Sequence, residues 1–505
     1  MAQPKYLKID TKHNSYLFDG VLSKIIDYSQ SKEKIIMNFF SMSKEEIFSS
    51  LRNQNCLYEE NEFEYDYNLI GEMIEEGCFF NYKYRPKLTE KQLNDIIVKS
   101  PSSNLVLSVT EDCNMRCKYC LYSELYENSV TYSKQNMSWE IAKKSVDQYF
   151  ELHNEKEKRG YKKSPSITFF GGEPLIQYKL IKKVIEYASG VREDTRFYIT
   201  TNGLLLSQKV IDFFINHDVF ITFSLDGYKA NHDRNRVLEN GNPTFDKIFS
   251  NIQKLQQQKN NISKPQMIAF NCCFDKHVDF EKVVNFFIEN YELFDPFICS
   301  FAPIIPYETS YFDWVENQIN DGKLDIRNIS SKDSLKKIRD YVLSNEILSM
   351  DESFKKKYLS IAGTLVIKEL LQDVQHPDFN QLFNHSCTPM DKLHVHTDGS
   401  YTICEKMAGK LPIGNIDTGI DYSQLKEVAN AFLDFVNDKC YNCPVASMCN
   451  VCFMYMNEDM EISNQVCKDQ FTSIVNTLEK YLECKEINYD FEGLYSVAGG
   501  NLLNG

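Results

Sequence analysis

The sequence predicts an α/β protein whose centre is a partial (β/α)6 barrel, preceded by a small α+β module and followed by a cysteine-rich domain. Six short runs of β-branched and aromatic residues alternate with longer amphipathic runs, a pattern typical of repeated βα units around a parallel sheet. The length of 505 residues favours two or three domains. Six units are too few for a closed eight-stranded barrel, so we expect an open one with its chemistry at the carboxyl ends of the strands.

The first predicted segment covers residues 1–95. It begins with two short alternating runs, KYLKID and SYLFDG, and continues with helical patterns. One helix opens at SKEEIFSSL, where Ser43 and Glu46 have the spacing of a capping box. We therefore expect a small α+β module in front of the barrel.

The barrel itself is predicted over residues 100–305. Helical stretches such as WEIAKKSVDQYFELH and QYKLIKKVIEYA separate its strands. Residues 306–385 are polar and mostly helical in pattern, which indicates a connector. The predicted strands are 104–110, 166–170, 196–201, 219–225, 267–274 and a run within 296–303.

Charge and hydropathy exclude two classes of partner. The chain has 56 basic and 71 acidic residues, a formal net charge of −15, which disfavours binding to a phosphate backbone. No run approaches the roughly 20 apolar residues that a spanning helix needs, and the first residues lack an apolar signal core. We therefore expect a soluble cytoplasmic protein that binds neither nucleic acid nor membrane.

The sixteen cysteines are distributed unevenly. A cytoplasmic protein keeps its thiols reduced, so metal or cluster ligation is favoured over a disulfide framework. Ten cysteines form two groups, and the others are interpreted as small buried hydrophobic residues. Those others are Cys56, Cys78, Cys272, Cys273, Cys299 and Cys484.

The first group directly follows the first barrel strand. Cys113, Cys117 and Cys120 have the spacing Cys-x3-Cys-x2-Cys. Three thiolates in such a loop can ligate three irons of a 4Fe-4S cluster and leave the fourth iron open for a small molecule. A zinc site is the alternative, although structural zinc normally has all its coordination positions filled.

Three further motifs end successive predicted strands. In FFGGEP, the glycines permit close backbone approach and Glu173 offers an acceptor to an ammonium group. TTNG ends the third strand and SLDGYKANHDRNR the fourth. The candidate residues in these motifs are Gly171, Gly172, Glu173, Pro174, Asn202, Ser224 and Arg236.

These motifs, in this order, resemble the radical S-adenosylmethionine (AdoMet) superfamily. The resemblance implies that AdoMet chelates the open iron and that the GGEP segment receives its amino group. It further implies that Ser224 lies near the ribose, that Arg236 lies near the carboxylate, and that Asn202 belongs to the cofactor-binding set. The backbone of Tyr119 is implied to approach adenine; alternatively, the Tyr119 side chain packs beside the cluster.

The second group resembles the SPASM extension of radical AdoMet enzymes, over residues 386–475, with residues 476–505 as a tail. Such domains hold two auxiliary clusters, so the resemblance implies three 4Fe-4S clusters in total. The two Cys-x-x-Cys pairs are also compatible with a zinc ribbon. The seven cysteines are Cys387, Cys404, Cys440, Cys443, Cys449, Cys452 and Cys467.

The resemblance divides these seven cysteines into two sets. Cys440, Cys443, Cys449 and Cys467 form the outer set, which is closed at four ligands. Cys387, Cys404 and Cys452 form the inner set, which has only three. Either a histidine completes the inner cluster or its fourth iron is open, and we favour the open site. The candidate histidines are His385, His394 and His396.

Glu405 directly follows Cys404. Sulfatase-maturating relatives have an aspartate at this position that accepts a proton from the substrate. The resemblance therefore makes Glu405 a candidate general base, and a solvated surface carboxylate is the alternative.

The resemblance implies an enzyme that reductively cleaves AdoMet to a 5′-deoxyadenosyl radical, with electrons from a donor such as flavodoxin or ferredoxin. The N-terminal module stands where many peptide maturases recognise a leader peptide as an added strand. An open inner cluster can hold a substrate cysteine for thioether formation, as in sactipeptide and ranthipeptide maturases. We therefore expect a ribosomally synthesised precursor peptide with a leader as the substrate.

Other functions remain open at this point. The same chemistry can form carbon–carbon crosslinks, epimerise residues in a peptide, or convert a sulfatase residue to formylglycine. A non-enzymatic iron–sulfur electron-transfer scaffold is the alternative from a different class.

Overall fold

The central sheet of the computed structural model contains eight strands within the described part of the chain. The structure describes residues 3–53, 59–80, 84–100, 104–126, 132–259, 268–293, 299–304, 307–324, 334–342, 344, 346–347, 350–366, 382–383, 386–407 and 409–487. The strands are β1 (Tyr6–Asp10), β2 (Ser15–Asp19), β3 (Ile25–Asp27), β4 (Asn104–Thr110), β5 (Ser166–Gly171), β6 (Arg196–Thr201), β7 (Phe220–Ser224), β8 (Ile268–Phe274), β9 (Cys299–Pro303), β10 (Lys392–Val395), β11 (Tyr401–Thr402), β12 (Gly414–Asn415) and β13 (Gly419–Ile420).

The helices confirm the predicted alternation with strands. The helix that opens after Ser43 has the predicted capping box, in which Ser43 and Glu46 exchange hydrogen bonds between side chain and backbone. The helices are α1 (Gln30–Asn38), α2 (Lys44–Arg52), α3 (Glu60–Glu75), α4 (Glu90–Lys99), α5 (Trp139–Lys158), α6 (Tyr178–Val191), α7 (Gln208–Asn216), α8 (Lys229–Asn235), α9 (Phe245–Lys259), α10 (Phe280–Glu289), α11 (Tyr311–Asn320), α12 (Ser334–Val342), α13 (Glu352–Tyr358), α14 (Tyr422–Phe435) and α15 (Asn464–Glu486).

The sheet is mostly parallel, with the strand order β11-β10-β4-β5-β6-β7-β8-β9. Strands β4 to β9 run parallel to one another and confirm the six predicted strands, of which residues 267 and 296–298 lie outside the described residues. Two further strands were not predicted. β10 adds to β4 in parallel, and β11 pairs with β10 in the antiparallel direction.

The two faces of the sheet differ in polarity. Residues paired across parallel strands share a face, and side chains alternate between faces along each strand. One face is apolar and carries buried residues such as Leu105, Ile167, Ile199 and Phe223. The opposite face is rich in polar side chains at the strands' carboxyl halves. It carries Ser108, Thr168, Thr200, Thr222, Ser224 and Asn271.

Two units make up the described chain, and each combines separate stretches. The first falls within Met1–Thr89, Lys368–Cys387 and Glu427–Tyr489, and the second within Glu90–Ile367 and Thr388–Lys426. The linear domain boundaries proposed from the sequence stay predictions. His385 and the predicted tail beyond residue 487 lie outside the described residues.

In the first unit, the N-terminal strands share an apolar core with the cysteine-rich stretch. Strands β1, β2 and β3 form an antiparallel sheet. The shared core consists of Ile9, Phe18, Val445, Met448, Ile474, Leu478 and Leu482. Packing against helices α1 to α3 buries a second core around Leu17, Ile36 and Phe63.

None of the helices that the structure describes combines the length and apolar character required to cross a membrane.

Candidate active site

The first cysteine group lies in the loop after β4, in the second unit. Cys117 is buried, and Cys113 and Cys120 are partly buried. The backbone N–H of Met115 donates to Cys113 Sγ at 3.4 Å, and that of Tyr122 donates to Cys120 Sγ at 3.4 Å. The loop itself therefore supplies hydrogen bonds to two of the three sulfurs.

Two side chains from outside the loop also reach its sulfurs. Asn202 follows β6, and its Nδ2 lies 3.9 Å from Cys113 Sγ. Arg236 follows α8, and its Nη1 lies 3.8 Å from Cys117 Sγ. N–H groups that donate to sulfur stabilise thiolate ligands and tune the metal group that they hold. All three sulfurs thus have at least one N–H donor.

Burial raises the pKa of all three thiols, and it raises the pKa of Cys117 to about 12. The Arg236 guanidinium opposes this rise at Cys117. Binding of a cluster must therefore displace protons from the thiols. Within the described residues, no three His, Cys, Asp or Glu side chains converge as ligands of a single metal ion. Cluster thiolates bind separate irons, and these three thiols with their N–H donors fit such a cluster.

The two glycines of the FFGGEP motif allow its backbone to lie against the cysteine loop. Gly171 has a φ of +129°, and a Cβ there would lie 2.2 Å from the Thr110 carbonyl oxygen. A Cβ on Gly172 would lie 2.3 Å from the Asp112 carbonyl oxygen. The N–H of Gly172 donates to Thr110 and that of Glu173 donates to Asp112, each at 2.9 Å. A side chain at either glycine would separate the two loops.

Glu173 connects the second motif to the third. It is 1% exposed and accepts hydrogen bonds from Thr201 Oγ1 at 2.6 Å, the N–H of Asn202 at 2.8 Å and the N–H of Leu175 at 3.0 Å. Burial raises the pKa of Glu173, and these hydrogen bonds oppose the rise. Its Oε1 accepts two hydrogen bonds and Oε2 one, which leaves Oε2 a lone pair for a further donor. Pro174 is buried and begins a short 3-10 helix.

Asp226 organises the fourth motif and was missed in the sequence, although it lies within the SLDG segment. Its carboxylate is 1% exposed and accepts from Arg236 Nε at 3.0 Å, Tyr119 Oη at 2.5 Å and the N–H of Cys273 at 3.0 Å. The Arg236 guanidinium also lies 5.3 Å from the centre of the Tyr119 ring. The Tyr119 side chain is therefore packed beside the cysteine loop, and its backbone role toward adenine stays a prediction.

Ser224 ends β7 on the polar face of the sheet, next to Asn271 of β8. Together with Thr200 and Thr222, it extends the polar surface from the cysteine loop across the neighbouring strands. These side chains offer hydroxyl and amide groups to a polar ligand.

Cys404 and Glu405 follow β11 in the same unit. Cys404 Sγ lies 3.5 Å from Glu405 Oε2, and Lys392 Nζ lies 3.1 Å from Glu405 Oε1. The Glu405 side chain is 12% exposed, so it is not a solvated surface carboxylate. Burial raises its pKa, but the Lys392 ammonium and hydrogen bonds outweigh burial, and the net pKa lies below the usual value. Glu405 is thus ionised and able to accept a proton.

The histidine alternative for the inner cluster is wrong for His394. Its Nε2 is hydrogen-bonded to Ser108 at 2.8 Å and its Nδ1 to Thr402 at 2.9 Å, so neither nitrogen is available to iron. His396 Nε2 is hydrogen-bonded to the same Thr402 hydroxyl at 3.2 Å. Both histidines instead belong to the hydrogen-bonded contacts between β4, β10 and β11.

The outer cysteine set lies within the first unit. Burial raises the pKa of Cys449, and the thiols of Cys440, Cys443 and Cys467 raise it further. Backbone N–H groups donate to the sulfurs of Cys443 and Cys449. Two of the four thiols thus have the N–H donors that cluster thiolates have, and the closed outer cluster stays a prediction. Sequence reasoning missed Lys5, whose Nζ donates to the Cys440 carbonyl at 3.1 Å.

The inner set is divided between the units. Cys404 belongs to the second unit, whereas Cys387, which is exposed, and Cys452 belong to the first. Tyr455 lies close to Cys452 and Cys449, and burial raises its pKa to about 12. The grouping of Cys387, Cys404 and Cys452 stays a prediction.

Comparison with known proteins agrees with this geometry. Residues 107–270 match the model of the radical SAM superfamily, where SAM is AdoMet. The radical SAM cyclopropyl synthase TigE of Paramaledivibacter caminithermalis is 25% identical over 242 residues, which cover 45% of this chain and 50% of that protein. A cysteine-type anaerobic sulfatase-maturating enzyme of Clostridium novyi is 29% identical over 206 residues, which cover 40% and 52% of the two chains.

The chain thus spans about half the length of these curated relatives. Among solved structures, native anSMEcpe with bound AdoMet superposes with a TM-score of 0.47 and 17% identity, covering 76% of this chain and 98% of that one. The matched residues 107–270 contain the cysteine loop, the GGEP segment, Asn202 and Arg236. This chain therefore carries, over residues 107–270, a domain of the radical SAM superfamily of enzymes.

Proposed function

We propose that the chain is a radical AdoMet peptide maturase that installs a thioether link, from a cysteine sulfur to a carbon, in a ribosomally made precursor peptide. One observation carries the proposed chemistry: three thiols, each with an N–H donor, lie at the sheet edge where the GGEP loop, Asn202 and Arg236 meet. AdoMet and a reduced 4Fe-4S cluster, when bound there, supply a 5′-deoxyadenosyl radical that abstracts hydrogen from the substrate.

The residues around the cysteine loop have distinct roles in this proposal. Cys113, Cys117 and Cys120 hold the cluster. Glu173 Oε2 and the backbone of Gly171 and Gly172 receive the amino group of AdoMet. The Glu173 carboxylate is fixed before the cofactor arrives, because it already accepts hydrogen bonds from Thr201 in β6 and from Asn202 directly after β6.

Asp226 and the polar sheet face complete the cofactor site. Arg236 is 6% exposed. Asp226 binds its guanidinium and so holds it beside Cys117 of the cysteine loop. Ser224, at the end of β7, faces the same polar surface and is assigned to the ribose. Burial of this site keeps water from the radical.

The Glu405–Lys392 pair supports proton removal in the same unit. Glu405 is ionised, lies next to Cys404 and is shielded from bulk solvent. We assign it as the base that takes the thiol proton of the substrate cysteine before the new bond forms. The electron released as the carbon radical joins the sulfur would pass to the auxiliary clusters. Lys392 holds the carboxylate in position.

Thioether formation is the preferred outcome because the inner cysteine set has three members, so that a cluster bound there would have one iron available for a substrate thiolate. The two auxiliary clusters on the outer and inner sets belong to this proposal, as does an external electron donor. The three-stranded β1–β3 sheet is assigned to leader recognition by strand addition.

Formylglycine formation is the second candidate. It is favoured by the relatives named anaerobic sulfatase-maturating enzymes in Clostridium novyi and Bacteroides thetaiotaomicron. An alternative peptide product, such as a carbon–carbon crosslink or an epimerised residue, uses the same radical.

Mass spectrometry distinguishes these outcomes. The anaerobically reconstituted protein is incubated with AdoMet, dithionite and synthetic cysteine-bearing peptides from any short open reading frame that neighbours its gene. Thioether formation predicts the loss of two hydrogens per link and a cysteine that iodoacetamide no longer alkylates. A product with fully alkylatable cysteines contradicts it. Conversion of a sulfatase-derived peptide to a hydrazine-reactive aldehyde supports the second candidate instead.

A further inference from the structure

The N-terminal strands are built into the loop that carries Cys440 and Cys443. Gly20 lies against this loop so closely that a Cβ there would be 2.5 Å from the Pro444 carbonyl oxygen. Ser23 Oγ donates to Ser447 Oγ at 2.8 Å. The two stretches also share the apolar core that contains Ile9 and Val445. Residues more than 400 positions earlier in the chain therefore pack against the loop that carries part of the outer cysteine set.

Lys5 places an amino group against the loop that carries Cys440 and Cys443, and burial lowers its pKa to about 7. It is 6% exposed, its backbone is held by hydrogen bonds with Phe79 and Gly20, and its Nζ donates to the Cys440 carbonyl at 3.1 Å. The ammonium group also lies 5.0 Å from the centre of the Tyr441 ring. A buried ammonium is costly unless opposite charge lies close to it.

Negative charge near Lys5 comes chiefly from the cysteine loop. The thiols of Cys440 and Cys443 act electrostatically on Lys5, and Lys5 acts on Cys443 in return. Asp19 is the carboxylate that also acts on Lys5, and it already accepts hydrogen bonds from the N–H groups of Val21, Leu22 and Phe79. Arg85 adds a second positive charge nearby. Cys440 and Cys443 are thus the largest of the influences that oppose the effect of burial on the pKa of Lys5.

We propose that Lys5 is the buried charge partner of an iron–sulfur cluster held by Cys440, Cys443, Cys449 and Cys467, and that it raises the reduction potential of this cluster. The inference rests on the outer-cluster assignment made above. One-electron reduction adds a negative charge to the cluster, and a fixed cation beside it stabilises the reduced form more than the oxidised form. Four bound thiolates, in turn, favour the ammonium form of Lys5.

The test measures the midpoint potential of the outer cluster by an EPR-monitored titration with dithionite. It uses the full chain with Cys113, Cys117, Cys120, Cys404 and Cys452 replaced by alanine, so that neither the first nor the inner cluster gives a signal. Lys5→Gln removes the charge but retains an N–H donor for the Cys440 carbonyl, and Lys5→Met removes both. Lys5→Arg retains the charge. Lys8→Met is the matched control, since Lys8 lies on the same strand with its side chain 39% exposed.

Both neutral variants are expected to shift the one-electron reduction equilibrium about tenfold toward the oxidised cluster, a fall of about 59 mV. Lys5→Arg and Lys8→Met are expected to keep the potential of the parent. If the neutral variants fail to retain iron while Lys5→Arg retains it, the charge requirement is supported. A shift below about twofold in Lys5→Gln, or loss of iron in Lys5→Arg as well, overturns the proposal. Absence of any auxiliary cluster from the parent protein instead overturns the outer-cluster assignment.

Discussion

Asp226 is the residue that links three parts of the candidate site. It holds Arg236, Tyr119 and the backbone of Cys273 through one buried carboxylate. Arg236 in turn reaches Cys117. A change at Asp226 therefore affects both the fold of this region and the environment of the cysteine loop.

Replacing Asp226 by asparagine leaves the Arg236 guanidinium buried without a carboxylate. Loss of one partner of a buried ion pair costs about 3–5 kcal/mol, so we expect the free energy of unfolding of the metal-free protein to fall by that amount. Urea denaturation measures it. Asp246→Asn is the control, because Asp246 is 73% exposed and its pair with Lys229 contributes less than about 1 kcal/mol. Equal destabilisation by the two variants would contradict the role given to Asp226.

Glu405→Gln tests the proposed base. The variant retains the size of the side chain but accepts no proton, so product formation is expected to fall by about 10²–10⁴-fold while 5′-deoxyadenosine is still released. Liquid chromatography of both products measures this uncoupling. Glu193→Gln, at an exposed position of the same unit, should leave both products unchanged. Unchanged product formation in Glu405→Gln would remove Glu405 from the mechanism.

The pH dependence of product formation follows from the ion pair between Glu405 and Lys392. The Lys392 ammonium holds the net pKa of Glu405 below its usual value despite burial. Because the base is the ionised form, its activity is fully present at neutral pH. It should decline only as the pH falls through that lowered pKa, and Lys392→Met should move the decline to higher pH.

At the scale of elements, the FFGGEP loop depends on its glycines. Gly171→Ala combines an unfavourable φ of +129° with a Cβ 2.2 Å from the Thr110 carbonyl oxygen, and the backbone there has little freedom to move. We expect a loss of about 1–3 kcal/mol in unfolding free energy and loss of AdoMet binding, measured by denaturation and by equilibrium dialysis. Gly190→Ala, in helix α6 with open space around it, should be neutral or slightly stabilising. AdoMet binding by Gly171→Ala at the parent level would contradict this account of the loop.

The outer cysteine set makes a separate prediction. Cys440→Ala combined with Cys443→Ala should lower the iron content by one cluster and lower stability, because ligand binding is coupled to folding. Cys484→Ala serves as the control, since Cys484 is a buried cysteine of α15 in the same unit but outside the set. Iron and labile sulfide assays measure the effect. Unaltered iron in the double variant would contradict the proposed ligands.

Most elements of the central sheet were predictable because their signals are local. Each of β4 to β9 is a short apolar or β-branched run, and the strand Asn104–Thr110 has the predicted bounds. The four-residue β10 and the two-residue β11 were not predicted. They contain His394 and Thr402, which are hydrogen-bonded to each other, and their position depends on the pairing of β10 with β4 and of β11 with β10. Short polar strands of this kind have no local pattern that separates them from a loop.

At the scale of the whole molecule, the cysteine groups and strand-end motifs were legible in the sequence because their spacing is short. Contacts between distant stretches were not. Asp226 stood in a quoted motif, but its partners come from three different stretches of chain. Lys5 and Cys440 are separated by 435 positions, and no local pattern in an N-terminal strand indicates a partner in a cysteine loop. The apolar core that β1, β2 and α15 share likewise depends on tertiary packing and has no local pattern in the sequence.

The most direct measurement is formation of 5′-deoxyadenosine by the anaerobically reconstituted protein with AdoMet and dithionite. The account predicts that the parent protein and Cys484→Ala release 5′-deoxyadenosine. It predicts that the variant with Cys113, Cys117 and Cys120 replaced by alanine releases none while retaining its auxiliary iron. Absence of 5′-deoxyadenosine from a fully reconstituted parent, or its undiminished release by the triple variant, would contradict the central claim.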